Sequence, residues 1–282
     1  MQRRLFLRRN SLSSRRGTEA NYRRGVLIAT WNVNSLKARL PRVEAWLQEV
    51  QPDVLCMQET KLKQDLFPTE AIAALGYESA HFGQGQWNGV AIISKVGLEN
   101  VMQNFAPGIE QDTEARIITA TCGGIKISCC YVPNGRELDH DHYQYKLSWL
   151  GRLRQHLDAT CTPQDDVLVC GDFNIAPEDR DVWDVKQFEN ATHVSAPERA
   201  ALANVMNFGL TDSFRRFYDD AGLYSWWDYR GGSFHKGHGM RIDYHLVSQS
   251  VDERTTWMAI DRNARKGESP SDHAPVLIRV DD

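Results

Sequence analysis

A carboxylate and a carboxamide stand directly after a short apolar run near the middle of the chain. Val167–Cys170 is typical of a buried strand, Gly171 lets the backbone turn, and Asp172 and Asn174 follow with one residue between them. Side chains two apart can point the same way, and their oxygens suit a hard divalent cation or a water molecule about to attack. Aspartate and asparagine after a strand are also common turn formers, so this stretch alone leaves both interpretations open.

The same arrangement recurs at other strand ends, which favours the chemical interpretation. Loops at strand ends converge over a rigid floor in layered α/β folds, and binding sites form there. The predicted strands place these residues at such positions: Asn32, Glu59, Tyr131, Asp172, Asn174, Asp243, Asp272 and His273. Together they predict an acidic metal site with a histidine beside it.

The residue types of this set indicate phosphate ester hydrolysis. Glutamate, aspartate and asparagine without a quartet of cysteines and histidines indicate Mg²⁺ or Mn²⁺, not structural zinc. Such a metal polarises a phosphoryl oxygen, a carboxylate takes a proton from water, and a histidine beside an aspartate holds the phosphate. The sequence has no GxxxxGK[ST] loop, which argues against use of a nucleoside triphosphate, and no GxSxG elbow.

Hydrophobic periodicity predicts the elements that position these residues. Helices are predicted over 41–50, 67–75, 142–157 and 197–209. Strands are predicted over 26–31, 54–57, 89–94, 116–122, 125–132 and 167–170, near 210, and over 224–229, 242–247, 256–260 and 276–280. Strands outnumber helices and often follow one another directly, unlike the strict alternation of a doubly wound sheet. We therefore expect two mixed sheets packed face to face with helices outside, in a single domain over residues 25–282.

Composition predicts a soluble cytoplasmic protein. Hydrophobic residues make up 41% of the chain and charged residues 25%, which is ordinary for a globular protein. No apolar run approaches the roughly 20 residues that span a bilayer. The six cysteines show no CxxC spacing and lie mostly in apolar runs, which fits a reducing compartment better than a disulfide framework.

Charge is distributed very unevenly along the chain. Residues 1–24 hold eight arginines and one glutamate, so the net charge of −4 leaves −11 on residues 25–282. An acidic body argues against broad nonspecific adhesion to nucleic acid, though not against a local basic face. The basic segment could be an arm that grips phosphates, an import peptide or residues upstream of the true start. We expect a disordered extension that is dispensable for activity.

The motifs at the strand ends resemble those of the exonuclease III family of abasic-site DNA endonucleases, within the endonuclease/exonuclease/phosphatase superfamily. In order along the chain they read WNVN (31–34), MQETK (57–61), YVPNG (131–135), GDFN (171–174), RIDY (241–244) and SDHAP (271–275). The resemblance covers about residues 26–280, and WWDYR (226–230) and GMRID (239–243) point to its DNA-repair branch. It implies the DNase I-like four-layer α/β sandwich and a Mg²⁺-dependent endonuclease, with Mn²⁺ as a possible substitute.

The resemblance also implies roles for individual residues. Glu59 would be the principal metal ligand, with Asn32 and Asp272 near it, and Asp172, Asn174 and His273 would complete the metal and water site. Asp172 would orient and deprotonate the attacking water, which Asn174 helps to hold. Asp243 would orient His273, and His273 and Tyr131 would contact the scissile phosphate. The number of metals, and whether Asp172 or His273 is the base, stay open.

The apolar part of the substrate site follows from the same resemblance. Trp226 and Met240 match the apolar wall that receives an abasic sugar flipped from the duplex. Candidate phosphate contacts, for which a solvated surface position is the alternative, are Arg116, Asn134, Arg136, Arg230 and Lys266. The expected partner is double-stranded DNA with abasic sites or blocked 3′ ends, acted on by a monomer without an obligate protein partner or membrane.

Two other functions stay open at this point. A superfamily relative could cleave a different phosphate ester, such as a phosphoinositide or sphingomyelin, but should lack the Trp226 and Arg230 cluster. A noncatalytic DNA-binding relative should have lost Glu59, Asp172 or His273, all of which this chain retains. The balance between cleavage 5′ to abasic sites and trimming of 3′ ends is not readable from the sequence.

Overall fold

Two six-stranded mixed sheets pack face to face in the computed structural model, which describes residues 25–282. The strands are β1 (Val26–Asn32), β2 (Val54–Gln58), β3 (Glu78–Phe82), β4 (Val90–Ser94), β5 (Glu99–Gln103), β6 (Ile117–Cys122), β7 (Ile125–Tyr131), β8 (Val167–Asp172), β9 (Leu210–Asp212), β10 (Asp243–Ser248), β11 (Thr255–Ile260) and β12 (Val276–Val280). Their order is β11-β12-β1-β2-β4-β3 in the first sheet and β5-β6-β7-β8-β10-β9 in the second. The predicted basic extension, residues 1–24, lies outside the described residues.

Helices cover the outer faces of both sheets. They are α1 (Leu36–Val50), α2 (Thr69–Ala74), α3 (Asp141–Thr160), α4 (Ala196–Met206), α5 (Phe214–Phe217), α6 (Ser233–Lys236) and α7 (Gln249–Arg254). Short 3₁₀ turns stand at Gln64–Leu66, Asp179–Asp181, Val185–Phe188, Arg230–Gly232 and Arg262–Arg265. The predicted four-layer α/β sandwich is confirmed.

Three hydrophobic cores correspond to the three interfaces between these layers. Between the sheets, Ile28 and Ile92 of the first sheet share a buried cluster with Ile127 and Leu168 of the second. The outer face of the first sheet buries Val43, Trp46 and Leu47 of α1. The outer face of the second sheet buries Trp149, Leu150, Leu153 and Leu157 of α3. The strands are apolar on both faces because both faces are covered.

The prediction of a strand over 224–229 is wrong. This segment is irregular and joins its neighbours through isolated bridges, from Trp226 to Met240 and to His273. The N–H groups of Ser225 and Trp226 both bond to the carbonyl of Met240, so they do not alternate along a ladder. Most other predicted strands agree with the structure to within one or two residues at each end.

Three further differences have local physical causes. Helix α1 begins at Leu36, ahead of the expected start at Pro41, because the N–H groups of Ser35 and Leu36 bond to the carbonyls of Glu59 and Thr60. The edge strands β3 and β5 were not predicted, since both lack clear apolar alternation and most residues of β5 are exposed. The short helix α6 was not predicted either, because it spans only four residues.

Two structural observations bear on the expectations drawn from composition, one on membrane-spanning helices and one on the cysteines. Within residues 25–282, no helix is long and apolar enough to cross a membrane. All six cysteines are free thiols, and all except Cys161 are buried, where a thiol packs as a small hydrophobic group.

A histidine that is buried in its neutral form makes the free energy of unfolding depend on pH. His156 of α3 is an example. Its Nδ1 accepts the N–H of Ala106 at 3.0 Å, and its Nε2 lies 3.2 Å from Oγ1 of Thr119. Burial, with a contribution from Lys126, lowers the pKa of His156 from 6.5 to about 4. The unfolded chain therefore binds this proton first, and stability is lost as the pH falls from 6.5 towards 4.

Replacing His156 by Asn should flatten the acid dependence of stability. The amide oxygen can still accept from Ala106, but the group that titrates is gone. We expect the slope of unfolding free energy against pH between 6.5 and 4 to fall by about 1.4 kcal/mol per pH unit, measured by urea unfolding. The exposed His235→Asn variant should keep the wild-type slope, and an unchanged slope in His156→Asn would refute this account.

Candidate active site

Strand direction brings polar residues from both sheets to one edge of the sandwich. β1 runs parallel to β2, and β7 runs parallel to β8, so each pair places its carboxyl ends together. β10 is antiparallel to β8 and β12 is antiparallel to β1, so the amino ends of β10 and β12 lie at the same edge. The residues at these ends are the ones that the sequence singles out.

Asn32 joins the two sheets through its side-chain amide. Its Nδ2 donates to Oε1 of Glu59 at 2.8 Å and to Oδ2 of Asp172 at 2.9 Å. Its Oδ1 accepts the N–H of Asn34 at 2.9 Å. Every polar atom of this fully buried amide therefore has a partner, and the two carboxylates lie on either side of it.

His273 lies between two aspartates. Its Nδ1 lies 2.9 Å from Oδ2 of Asp243, and its Nε2 lies 3.7 Å from Oδ2 of Asp172. Ser225 orients Asp243 in turn, because its hydroxyl donates to Oδ2 of Asp243 at 2.6 Å and accepts the N–H groups of Ile242 and Asp243. The ring is thus fixed with Nε2 directed towards Asp172.

Burial and neighbouring charges shift the pKa values of this pair. Burial raises the pKa of Asp172 to about 7, against the lowering effect of His273. Burial alone would lower the pKa of His273, but the Asp243 and Asp172 carboxylates outweigh it and raise this pKa to about 10. At neutral pH the histidine is therefore a cation, and the aspartate is close to its point of titration, as suits a general base.

Tyr131 faces Glu59 and rests on Arg116. Burial together with the nearby charge of the Glu59 carboxylate raises the pKa of the phenol well above its ordinary value. The phenol therefore stays protonated and can donate a hydrogen bond. The Arg116 guanidinium lies 4.6 Å from the ring centre and bonds to Glu114 and to the Tyr131 carbonyl, with a side chain only 7% exposed.

Asn174 lies in a second polar group beside Asp172. Its N–H donates to Oδ1 of Asp172 at 2.9 Å, and its Nδ2 donates to the Val132 carbonyl. Its Oδ1 accepts from Nδ2 of Asn134 at 3.1 Å and lies 3.2 Å from Nε2 of His193. The structure therefore brings Asn134 and Asn174 together and adds a histidine to them.

His193, Asn34 and Lys61 belong to the site although we assigned them no role from the sequence. Nε2 of His193 also lies 3.2 Å from Nδ2 of Asn134. Nζ of Lys61 donates to Oδ1 of Asn34 and pairs with Oε2 of Glu59 at 2.8 Å. Asn34 and Lys61 lie within recognised motifs, which was an available signal. For His193 the only signal in the sequence is its position two residues before Ser195, the N-cap of α4.

The apolar residues expected to receive the sugar lie on the Asp272 side of the site. Trp226 donates from Nε1 to Oδ2 of Asp272 at 3.1 Å, and its ring centre is 6.5 Å from that of His273. Met240 is buried beneath Trp226, within a small cluster that also contains Val182 and Ile242. The other oxygen of Asp272 accepts from Asn34, so both oxygens are engaged away from Glu59.

The remaining basic candidates lie apart from this cluster. Arg136 is exposed and contacts His140, Arg230 is paired with Asp228 and has a side chain 90% exposed, and Lys266 bonds to Asn263. These three side chains are exposed, whereas Arg116 is held under Tyr131.

The donor set fits a hard divalent cation. Ligand atoms of Glu59, Asp172 and His273 lie within 4.8 Å of one another. The carboxylates of Glu59 and Asp172 supply the oxygen ligands that such cations prefer, whereas a protonated His273 has no free lone pair and Asn32 presents Nδ2 to both carboxylates. Within residues 25–282, no other group of aspartate, glutamate, histidine or cysteine side chains has the spacing of a metal site. Asp272 does not belong to this group.

Comparison with known proteins gives consistent matches over nearly the whole described chain. The model of the endonuclease/exonuclease/phosphatase family matches residues 29–273. Exodeoxyribonuclease III of Haemophilus influenzae is 34% identical over 259 residues, which cover 88% of this chain and 97% of that protein. The structure of an AP endonuclease from Archaeoglobus fulgidus is 36% identical, with a TM-score of 0.87, covering 91% of this chain and 100% of that one. The 3′ phosphatase NExo from Neisseria, bound to a product DNA hairpin, has a TM-score of 0.87 at 37% identity and the same coverage.

Replacing Asp243 by Asn should lower the pKa of His273. The variant keeps a hydrogen-bond acceptor at Nδ1 but removes the strongest of the charges that stabilise the imidazolium. The midpoint of the His273 ring titration, followed by NMR in EDTA, should move to lower pH. The exposed Asp220→Asn variant should leave the midpoint unchanged, and an unmoved midpoint in Asp243→Asn would contradict the assigned electrostatics.

Proposed function

Because the chain belongs to the exonuclease III family of abasic-site DNA endonucleases, within the endonuclease/exonuclease/phosphatase family, we propose that it hydrolyses the phosphodiester bond 5′ to abasic sites in DNA with the help of Mg²⁺. Mn²⁺ can take the place of Mg²⁺ at oxygen ligands of this kind. The observation that carries the proposal is the continuous contact from Asp243 through His273, Asp172 and Asn32 to Glu59.

The attacking water is held by Asp172 and Asn174. Asp172 accepts a proton from it, since its carboxylate is buried near its point of titration, while His273 already carries a proton at neutral pH. The main-chain N–H of Asn174 donates to Oδ1 of Asp172. This bond holds Asn174 beside the Asp172 carboxylate, where it can orient the water. This assignment favours Asp172 over His273 as the base.

The scissile phosphate is bound by hydrogen-bond donors opposite the water. His273, oriented by Asp243, presents Nε2, and Tyr131 presents a hydroxyl that stays protonated. Glu59 is the principal metal ligand, with Asn32 beside it, whereas Asp272 positions Asn34 and Trp226 at the edge of the site. Glu59 and Asp172 would hold a divalent ion, which would supply polarisation of a phosphoryl oxygen and stabilisation of the leaving oxygen.

The sugar and the DNA backbone meet different parts of the surface. Trp226 and Met240 form an apolar wall that suits a sugar without a base. Asn134, Arg136 and Arg230 contact phosphates, with Lys266 as a further contact. We assign Arg116 to holding Tyr131 in place, because its side chain has little exposed surface to offer a phosphate.

The substrate range includes blocked 3′ ends as well as internal abasic sites. One similar protein is described as an AP endonuclease and another as a 3′ phosphatase, and both chemistries break a phosphate ester at a sugar oxygen. The protein acts as a monomer on double-stranded DNA in the cytoplasm, at the nucleoid, without an obligate protein partner or a membrane.

Cleavage of a labelled duplex with one tetrahydrofuran abasic analogue tests this function. We expect a single cut 5′ to the analogue in Mg²⁺, no cut in excess EDTA, and no internal cut in an undamaged duplex, because only the lesion can enter the pocket. Removal of a 3′ phosphate from a second duplex measures the other activity.

Each other outcome of that assay has a distinct meaning. Shortening from 3′ ends without a cut at the analogue would overturn the endonuclease assignment and leave a 3′-end processing enzyme. Hydrolysis of an inositol phosphate or of sphingomyelin, with neither duplex cut, would overturn DNA as the substrate.

A further inference from the structure

A lysine and a glutamate form an ion pair buried beneath the site. Lys146 lies on α3 and Glu198 in the first turn of α4, and both side chains are 0% exposed. Nζ of Lys146 bonds to Oε1 of Glu198, to the Asn174 carbonyl at 2.7 Å and to the Asn134 carbonyl at 3.1 Å. The three donors of the ammonium therefore have three acceptors, and two of them are main-chain groups of site residues.

Glu198 extends the same network to the loop that carries His193. Its Oε1 accepts the N–H of His193 at 3.0 Å, and its Oε2 accepts the N–H and the hydroxyl of Ser195. The ion pair thus holds the main chain of three separate loops at Asn134, Asn174 and His193. The side chains of these residues meet on the other side, 3.1–3.2 Å apart.

Two of the three residues have backbones that need such support. Asn174 has φ of +52° and His193 has φ of +81°. Residues other than glycine are uncommon in this left-handed region. The carbonyl of Asn174 and the N–H of His193 are the groups that the pair binds. Close to them, a side chain at Gly135 would press on Cδ of Lys146, so this loop also packs against the lysine.

Stability alone does not explain a fully buried ion pair. Removing two charges from water is costly, and well-packed hydrophobic residues in their place often give an equally stable or more stable protein. We propose that Lys146 and Glu198 are positioning residues, which hold Asn174, Asn134 and His193 in the geometry that catalysis needs. This inference rests on the proposed function, since Asn174 is assigned there to the attacking water.

A double variant, Lys146→Met with Glu198→Leu, removes both charges and all the main-chain bonds while keeping apolar bulk. We expect it to fold, because no charge is left unpaired, but with a lower melting temperature, because the main-chain groups of Asn134, Asn174 and His193 lose their partners. Its kcat on the tetrahydrofuran duplex should fall by about 10²-fold, since a small misplacement of reacting groups has effects of that size. Its Kd for the duplex in EDTA should change by less than about threefold, because the proposed contacts from Arg230 and Lys266 do not depend on the pair.

The Glu198→Gln variant separates positioning from stability. Glutamine keeps an oxygen that can accept from Lys146 and His193, but it leaves the ammonium unpaired in the interior. It should therefore be less stable than the double variant and yet faster, by at least about tenfold in kcat. A merely structural role would make kcat and melting temperature fall together across the two variants.

A matched pair at the other end of β8 serves as the control. Arg254 and Asp166 are bonded at 2.6 Å and half-buried, far from the catalytic strand ends. Arg254→Met with Asp166→Leu should leave kcat within about threefold of the wild-type value.

The results that would overturn the inference are distinct from failure of the proposed function. Wild-type kcat in a folded Lys146→Met, Glu198→Leu protein would overturn it, and so would an equal loss in the control pair. If the double variant does not fold, a folded Glu198→Gln protein slowed by about 10²-fold would also overturn it, because the hydrogen bonds would then not be the cause. Failure of the wild-type protein to cut the abasic duplex would instead remove the proposed function.

Discussion

The burial of Asp172 between the two sheets is the constraint on which the rest of the site depends. This carboxylate is 1% exposed, and a buried carboxylate without partners is costly. Its partners are the Nδ2 of Asn32 in the first sheet, the N–H of Asn174 in the following turn and, at 3.7 Å, Nε2 of His273 before β12. Because they come from both sheets, the relative position of the sheets and the chemistry of the site are fixed by the same contacts.

Strand register gives the second sheet its part of the site. Tyr131 of β7 pairs with Asp172 of β8, and Asp172 pairs with Asp243 of β10, so the three side chains stand in one row across three neighbouring strands. Gly171 makes the approach of β8 to β7 possible, since its φ is +139° and a side chain there would collide with the backbone of Cys130. A shift of register in either pair would separate the proposed base, the phosphate donor and the group that orients His273.

The positions of the site residues at strand ends could be predicted, because hydrophobic periodicity locates the strands in the sequence and the layered packing brings the strand ends together. Once Asn32, Glu59 and Asp172 end buried strands, layered packing brings them together. His193 was not predictable, because it reaches Asn174 through a loop whose path depends on the buried contact between Lys146 and Glu198. Arg116 was predicted as a phosphate contact from its charge, but its contact with Tyr131 depends on tertiary packing. Edge strand β5 escaped prediction because most of its residues face solvent.

The most direct test of the central role of Asp172 is turnover of the Asp172→Asn variant, compared with its DNA binding. Asparagine keeps the shape and an acceptor for the Asn174 N–H but cannot take a proton from water. We expect turnover of the abasic duplex in Mg²⁺ to fall by at least about 10²-fold, since general base catalysis contributes effects of that size. Affinity for the uncut duplex in EDTA should stay within about threefold of the wild-type value. Near-normal turnover by a folded Asp172→Asn protein would contradict the account, because the buried carboxylate would then not be the base.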